Sequence, residues 1–350
     1  MLERVIGWTL KQRGLVLLGV ALLAVFGVHA GMNLPMDAFP DVTNVQVEIL
    51  GDAPGLSALE VERFVTYPVE SALRGLPGVV QMRSVTKFGL SVVTLVFADD
   101  VDIYFARQLV FERLEEARAG MPGSVSVGMG PIATAMGEIY QYTLQGPAPS
   151  DPAGRVRRLT ELRTLQEWVV APLLKGVAGV SEINSFGGYF KQYQVLVDPA
   201  KLVAHDLSLD AVRRAIERNN RNAGGGTLDR FDEQYIVRGV GLLRSVEDIG
   251  NIVLAAHRGT PVSIRDVAEV RVGEAVRQGA ALLGGEGETV GGIVMMLRGE
   301  NGREVVGRVK AKVREINESG ILPAGVRLAP YYDRSDMVSA SVGTVTRALA

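Results

Sequence analysis

The 350-residue chain predicts an α+β fold: one N-terminal transmembrane helix, then two ferredoxin-like βαβ-βαβ units, the second interrupted by an α+β insertion. Three observations carry that expectation. Residues 14–36 hold no formal charge, and their aliphatic core, LVLLGVALLAVFGV, matches the ~20 apolar residues a helix needs to cross a bilayer. A Gly-x-x-Gly-Val turn at Gly75-Leu-Pro-Gly78-Val79 returns 101 residues later at Gly176-Val-Ala-Gly179-Val180. A second turn, Gly120-Met-Pro122, returns 201 residues later at Ile321-Leu-Pro323, so about 100 residues are inserted in the middle of the second copy.

Arg4, Lys11 and Arg13 precede the apolar run, and Asp37 and Asp41 follow it. The excess of basic residues before the span puts the N-terminus in the cytoplasm and the chain beyond about residue 37 outside. The competing reading is a signal peptide cleaved after Val28-His29-Ala30, but the run exceeds the roughly 7–15 residues of a signal core. In the first unit Val45, Val47 and Ile49 alternate as on a strand. Ser57-Ala-Leu-Glu60 is a capping box that opens a helix. Residues 79–88 and 90–98 pair around Gly89, a helix runs from about 102 to 118, and a strand follows at 124–128. Asp99, Asp100 and Asp102 precede that helix, where carboxylates cap free N–H groups and suit the macrodipole.

The second unit reads as strand 138–145, helix 159–175 and strand 180–186, then, past the insertion, strand 289–297, helix 303–318 and strand 326–332. The insertion, about 188–275, opens with strand 192–198 and a helix capped near Ser208. It continues through an Asn-rich stretch into Gly224-Gly-Gly226 and a hairpin arm at 227–240. Three glycines beside several asparagines favour a turn-rich protrusion over a packed core. After Tyr332-Asp-Arg-Ser-Asp336 the sequence MVSASVGTVTRALA reads as the lead-in to a second membrane segment, the chain being expected to be a fragment.

Composition excludes several functions. With 37 basic and 39 acidic residues the charge is near balance, so nucleic acid is not an expected partner. The absence of cysteine removes disulfides, thiolate metal sites and cysteine nucleophiles. His29, His205 and His257 are too scattered for a zinc or catalytic cluster. The triple glycine lacks the GK[ST] of a phosphate loop, and no G-x-S-x-G elbow is present. Neither an enzyme nor a cofactor is expected.

Six stretches give a more specific reading. They are Pro35-Met-Asp-Ala-Phe-Pro-Asp-Val-Thr-Asn-Val-Gln-Val47, Tyr67-Pro-Val-Glu70 with its following glycine turn, Leu162-Arg-Thr-Leu-Gln-Glu-Trp168, Tyr193-Gln-Val-Leu-Val-Asp-Pro199, Asn222-Ala-Gly-Gly225 and Tyr332-Asp-Arg-Ser335. In this order they resemble the N-terminal third of inner-membrane pumps of the resistance-nodulation-division superfamily, heavy-metal efflux branch, cobalt-zinc-cadmium type. The resemblance implies a membrane helix at 1–37, a first porter subdomain at 38–133 and a second at 134–187 plus 276–332. It further implies a docking subdomain at 188–275 and the start of a second, truncated membrane segment at 333–350. It implies a homotrimer in the bacterial inner membrane, its lipid bilayer and periplasm shared with a periplasmic adaptor and an outer-membrane channel. Heavy-metal cations, by branch divalent zinc, cobalt or cadmium, would be the cargo and the proton gradient the drive. The docking arm around Asn222, Gly224, Gly225 and Gly226 would reach into the neighbouring subunit.

Glu138 is the first metal candidate. It opens Gly137-Glu-Ile-Tyr-Gln-Tyr142, a strand that the resemblance turns toward the cleft between porter subdomains, where a carboxylate is a hard oxygen donor for a divalent cation. Its alternative is an ordinary strand-end carboxylate. Glu167, beside Trp168, is the second candidate, against a solvated helix face. Met295 and Met296 are adjacent on a strand and point to opposite faces, so they read as core. Two rival functions stand beside metal export: a hydrophobic-drug exporter on the same scaffold, and a membrane-anchored periplasmic assembly module that transports nothing. Aromatic residues total only 6%, which disfavours the drug-binding cleft.

Overall fold

The computed structural model describes residue 8 and residues 11–32, 42–147, 149–257, 259–277, 279–285 and 287–349. Arg4, Asp37 and Asp41, which carry the expected orientation, lie outside these residues, as does the first part of the 35–47 motif. The first element is helix α1 (Arg13–Met32), and its Leu17, Leu22, Leu23 and Phe26 side chains are exposed. Among the described residues no helix is long and apolar enough to cross a membrane. The expected transmembrane helix is therefore not supplied by the described residues, and the side chains at 28, 31 and 32 of α1 lie outside them. At 20 residues α1 is ~30 Å long.

The chain divides into two compact units, Met1–Gly146 with Val169–Ser185 and Gly291–Ala350, and Pro147–Trp168 with Phe186–Val290. In the first, β1 (Gln46–Asp52) buries Val47 and Ile49. The Ser57–Glu60 capping box opens α2 (Ala58–Val61): Ser57 N donates to Glu60 Oε2 at 2.8 Å, and Glu60 N donates to Ser57 Oγ at 3.4 Å. A π turn, Glu62–Thr66, joins it to α3 (Tyr67–Leu73), whose second residue is Pro68. Proline lacks an N–H, so the helical ladder widens locally where it enters. Strands β2 (Val79–Lys87) and β3 (Leu90–Phe97) follow, then α4 (Ile103–Arg118) and β4 (Ser126–Met129). Asp102 caps α4, accepting from Tyr104 N at 3.0 Å and Phe105 N at 2.9 Å. The core beneath this sheet holds Val47, Ile49, Val65, Leu73, Leu95, Phe97 and Leu114.

The second copy begins with β5 (Glu138–Gln145) and α5 (Pro152–Leu165). The π turn recurs, as Gln166–Val170, immediately before α6 (Ala171–Lys175) with Pro172 at its second residue, and β6 (Val180–Gly187) follows. The insertion contributes β7 (Lys191–Val197), α7 (Pro199–Ala204) and α8 (Leu209–Asn219), the last capped by Ser208. Next come β8 (Ala223–Arg230), β9 (Glu233–Gly239), α9 (Val246–Gly250), β10 (Val253–His257), β11 (Thr260–Ser263), α10 (Ile264–Val267) and β12 (Ala268–Glu274). The copy resumes with β13 (Val290–Met296), α11 (Gly302–Glu318), β14 (Arg327–Asp333) and α12 (Arg334–Leu349).

Two four-stranded sheets result, ordered β2-β3-β1-β4 and β14-β5-β13-β6. Counted from each copy's own first strand, both read 4-1-3-2, with the first strand between the third and fourth. The insertion enters between the second and third strands of the second copy. In the second unit β7 pairs antiparallel with β12, and Leu202, Val212, Ile249, Ile264 and Val267 form the core. Met295 and Met296 are both buried, since β13 is covered on both faces.

The hairpin starts earlier than its expected 227–240. The triple glycine lies inside β8, where the register against β9 shifts between Gly224 and Thr227. Gly226 adopts φ 80°, a left-handed value that glycine takes without strain, so the glycines make a strand bulge rather than a turn.

Candidate functional site

Glu138 follows the short 3-10 turn Ala135–Gly137 and is the first residue of β5. The turn sits tightly against β13: a Cβ on the buried Gly137 would lie 3.1 Å from the Met296 carbonyl oxygen. Glu138 pairs with Met295 across the β13 register shift between Val294 and Met295. Its carboxylate is half-buried, and Oε2 accepts from Gln141 Nε2 at 3.1 Å. On the neighbouring strand β14, burial and then the Glu138 charge push the Tyr331 phenol above its usual range. Tyr140, one position before Gln141, is 2% exposed, and burial followed by the Asp333 charge pushes its phenol up to about 12. Both tyrosines stay protonated at neutral pH.

Glu138 and Gln141 thus present one anionic and one neutral oxygen-bearing side chain, with the protonated Tyr331 phenol near enough to feel the Glu138 charge. Hard donors of this kind suit a divalent cation rather than Cu(I), which prefers thioether or thiolate sulfur. Among the described residues no group of three or more His, Cys, Asp or Glu could hold a metal ion. Glu138 is thus not joined, among the described residues, by the ligands of a closed four-ligand structural site.

Glu167 is placed differently. Arg163 Nη2 lies 2.8 Å from Glu167 Oε1, and Arg163 Nη1 donates to the Gly187 carbonyl at 2.8 Å while its guanidinium covers the Phe190 ring at 4.3 Å. The Glu167 charge is paired in place, so a cation would compete with Arg163 for it. Glu138 belongs to the first unit and Glu167 to the second. Trp168 is 80% exposed and covers neither.

The arm is built by the asparagines at its base. Asn222 Oδ1 accepts from Gly241 N at 3.1 Å, and Asn220 Oδ1 from Leu243 N at 3.2 Å, closing the hairpin from its two ends. Every residue of β8 and β9 is exposed. At the tip Phe231 is 96% exposed with φ 55°.

Sequence reasoning singled out Glu138 and the arm but not Gln141, Tyr331 or Arg334. The last lies within the Tyr332–Ser335 motif, which marked it as a family position without giving it a task. Arg334 is 4% exposed and donates through Nη1 to the Met136 carbonyl, in the turn that precedes Glu138.

The sequence profile of the AcrB/AcrD/AcrF family matches residues 5–350. The chain belongs to that family of the resistance-nodulation-division superfamily. Its relatives within the family place it on the heavy-metal branch. Protein HelA of Legionella pneumophila is 46% identical over 345 residues, 99% of this chain and 32% of that protein. The cobalt-zinc-cadmium resistance protein CzcA of Cupriavidus metallidurans is 44% identical over 350 residues, 100% of this chain and 33% of that protein. The cation efflux system protein CusA of Escherichia coli is 38% identical over 347 residues. The crystal structure of a heavy metal efflux pump, crystal form I, matches with a TM-score of 0.87 at 36% identity, covering 98% of this chain and 34% of that one. As a family member, then, the chain spans about a third of the length of the relatives it matches.

Proposed function

We propose that the complete protein is a proton-driven inner-membrane exporter of heavy-metal cations, with divalent zinc, cobalt or cadmium as cargo. Residues 1–37 hold its first membrane segment, with the N-terminus cytoplasmic and the chain beyond about residue 37 periplasmic. Residues 38–133, and 134–187 with 276–332, are the porter subdomains, 188–275 the docking subdomain, and α12 the start of the second membrane segment. Likeness to proteins named for cobalt, zinc and cadmium resistance supports the cargo. The charge-free apolar run at residues 14–36 supports the anchor. The assembly is a homotrimer working with a periplasmic adaptor and an outer-membrane channel.

The observation that carries the cargo reading is the Glu138–Gln141 pair at the start of β5. Without a cation, the Gln141 amide N–H holds the carboxylate. With one, the amide turns its oxygen to the ion, so a single side chain both guards the empty site and completes the filled one. Two side-chain donors leave the rest of the coordination sphere to water, which keeps the ion exchangeable, as a transport site requires. Glu167, already paired to Arg163, takes a lesser part at the cation's path.

Growth of a metal-sensitive host expressing the complete gene, across zinc, cobalt, cadmium and copper, tests this reading. Protection against zinc, cobalt or cadmium is expected. Protection against copper or silver alone would keep the family and remove Glu138 as ligand. Resistance to hydrophobic drugs without any metal resistance would replace the cargo altogether.

A further inference from the structure

The stretch from β14 into α12 is held at two consecutive residues on two different sides. Asp333, the last residue of β14, lies 2.5 Å from Lys310 Nζ on α11 and accepts from Ser335 N at 2.9 Å and Ser335 Oγ at 2.6 Å. These bonds fix the first turn of α12 to the strand and to α11. Arg334, the first residue of α12, reaches the other way, and its guanidinium donates to the Met136 carbonyl. An arginine this buried is held where its partner is, because an ion removed from water needs its hydrogen bonds there.

Met136 is the middle residue of the Ala135–Gly137 turn, and Glu138 is the next residue but one. That turn has little freedom of its own. Gly137 N donates to Thr134 O at 2.8 Å, and Gly137 packs close enough to the Met296 backbone to leave little room for a Cβ. Arg298 N donates to Ile132 O at 3.2 Å just before the turn. The turn therefore has β13 on one side and the start of α12 on the other.

We propose that Arg334 is a positioning residue that ties the start of α12 to the Met136 carbonyl, so that displacement of α12 moves the Glu138 carboxylate and changes its hold on a divalent cation. The proposal rests on the reading of Glu138 as a cation ligand, but its mechanical half stands apart from that reading. No side chain of α12 has to touch the ion: beyond the β14–β5 ladder, which ends with Asp333 opposite Tyr140, the Arg334 guanidinium adds a side-chain tie that reaches Glu138 through two residues of backbone. A helix tilt that carries the guanidinium away pulls or releases the turn, and the first residue of β5 follows.

The experiment uses the full-length protein, trimeric and reconstituted in liposomes. These 350 residues contain no cysteine, so A135C and S339C can carry spin labels, any cysteine elsewhere having been replaced. Both positions are exposed and neither belongs to the link. The distance distribution between the labels is expected to be narrow with Arg334 and to broaden in R334Q. Zinc-dependent transport gives the second readout. KM for zinc is expected to rise about 10-fold in R334Q, the low end of the loss typical when an outer partner of a metal ligand is removed. E138Q is expected to raise it at least as much, and R334Q/E138Q no further than E138Q alone, with Vmax per folded trimer little changed by R334Q. R334K, with one shorter donor, should fall between wild type and R334Q in both readouts, and it decides the matter if R334Q does not fold.

An unchanged distance distribution in R334Q, or in R334K if that variant stands alone, overturns the link whatever Glu138 does. A broadened distribution with unchanged KM, while E138Q raises KM, overturns the positioning role. Multiplying effects in the double variant overturn it too. If E138Q leaves KM unchanged, the ligand reading fails and the proposal fails with it, while the distance measurement still shows whether the mechanical link exists.

Discussion

Phe231 at the tip of the β8–β9 arm gives a prediction in which two effects have opposite signs. The residue is 96% exposed and sits at φ 55°, where a Cβ crowds the following carbonyl. F231G removes that backbone strain, worth roughly 1 kcal/mol. The strain is present whether or not the arm is docked, so its relief stabilises the isolated arm and leaves association untouched. In the proposed trimer, where the arm docks on a neighbouring subunit, association loses the aromatic ring instead. Full burial of a Phe side chain contributes about 1.5–3 kcal/mol, and a residue this exposed has nearly all of that to gain from a partner. Taking ~2 kcal/mol per docked arm, the dissociation constant of each contact should rise about 30-fold. Native mass spectrometry or sedimentation of the full-length protein in detergent, over a dilution series, measures it. F231G should dissociate at higher protein concentration than wild type while resisting proteolysis within the arm at least as well. An unchanged trimer population across the series would refute the reasoning, since the ring would then have no buried partner to lose.

Further expectations are smaller in scope. G187A should fold poorly: Gly187 adopts φ 71°, and an added Cβ would meet the Thr289 carbonyl oxygen at 2.1 Å, so a thermal melt and expression yield should both fall. E167Q should lower zinc resistance much less than E138Q, because Glu167 is engaged by Arg163 at 2.8 Å; its stability cost should not exceed about 1 kcal/mol, as for a partly exposed pair. Glu288 is held below the usual carboxylate range, first by its hydrogen bond from Arg277, against a smaller opposing effect of burial. A depressed carboxylate stabilises the fold above its unfolded pKa of ~4.3 and ceases to as pH falls through the lower folded value. E288Q should therefore lower stability at pH 7 and flatten the acid limb of a pH–stability curve, and an acid limb identical to wild type would contradict this.

Strand and helix positions were legible where local chemistry speaks alone. The Ser57–Glu60 box, the Asp102 cap and the Ser208 cap are decided by side chains reaching backbone N–H groups within three residues, and each appears in the structure as the sequence implies. The repeated glycine turns gave the duplication for the same reason. Two features were less accessible. The π turns at Glu62–Thr66 and Gln166–Val170 depend on a proline entering an otherwise regular helix, and apolar periodicity over 159–175 does not register one extra residue. The triple glycine was read as turn material, yet pairing with β9 drew it into a strand, an outcome set by a partner ten or more residues away.

The candidate site divides along the same line. Glu138 was identifiable as a carboxylate at a strand start, but Gln141 meets it only in the folded strand, and Tyr331 and Arg334 come to it from nearly 200 residues further along. Such partners leave no local spacing to read. The same applies to Glu167, whose sequence neighbourhood resembles a free helix face while its ion pair and the Phe190 ring close around Arg163.

The central claim is that Glu138 takes part in handling a divalent cation, and zinc transport by the reconstituted full-length protein tests it most directly. Wild type and E138Q, matched for trimer content, would be compared for proton-driven zinc uptake into liposomes over a range of zinc concentrations. The account predicts saturable zinc transport by wild type and a KM raised about 10-fold or more in E138Q. Equal KM and Vmax in the two proteins would contradict it.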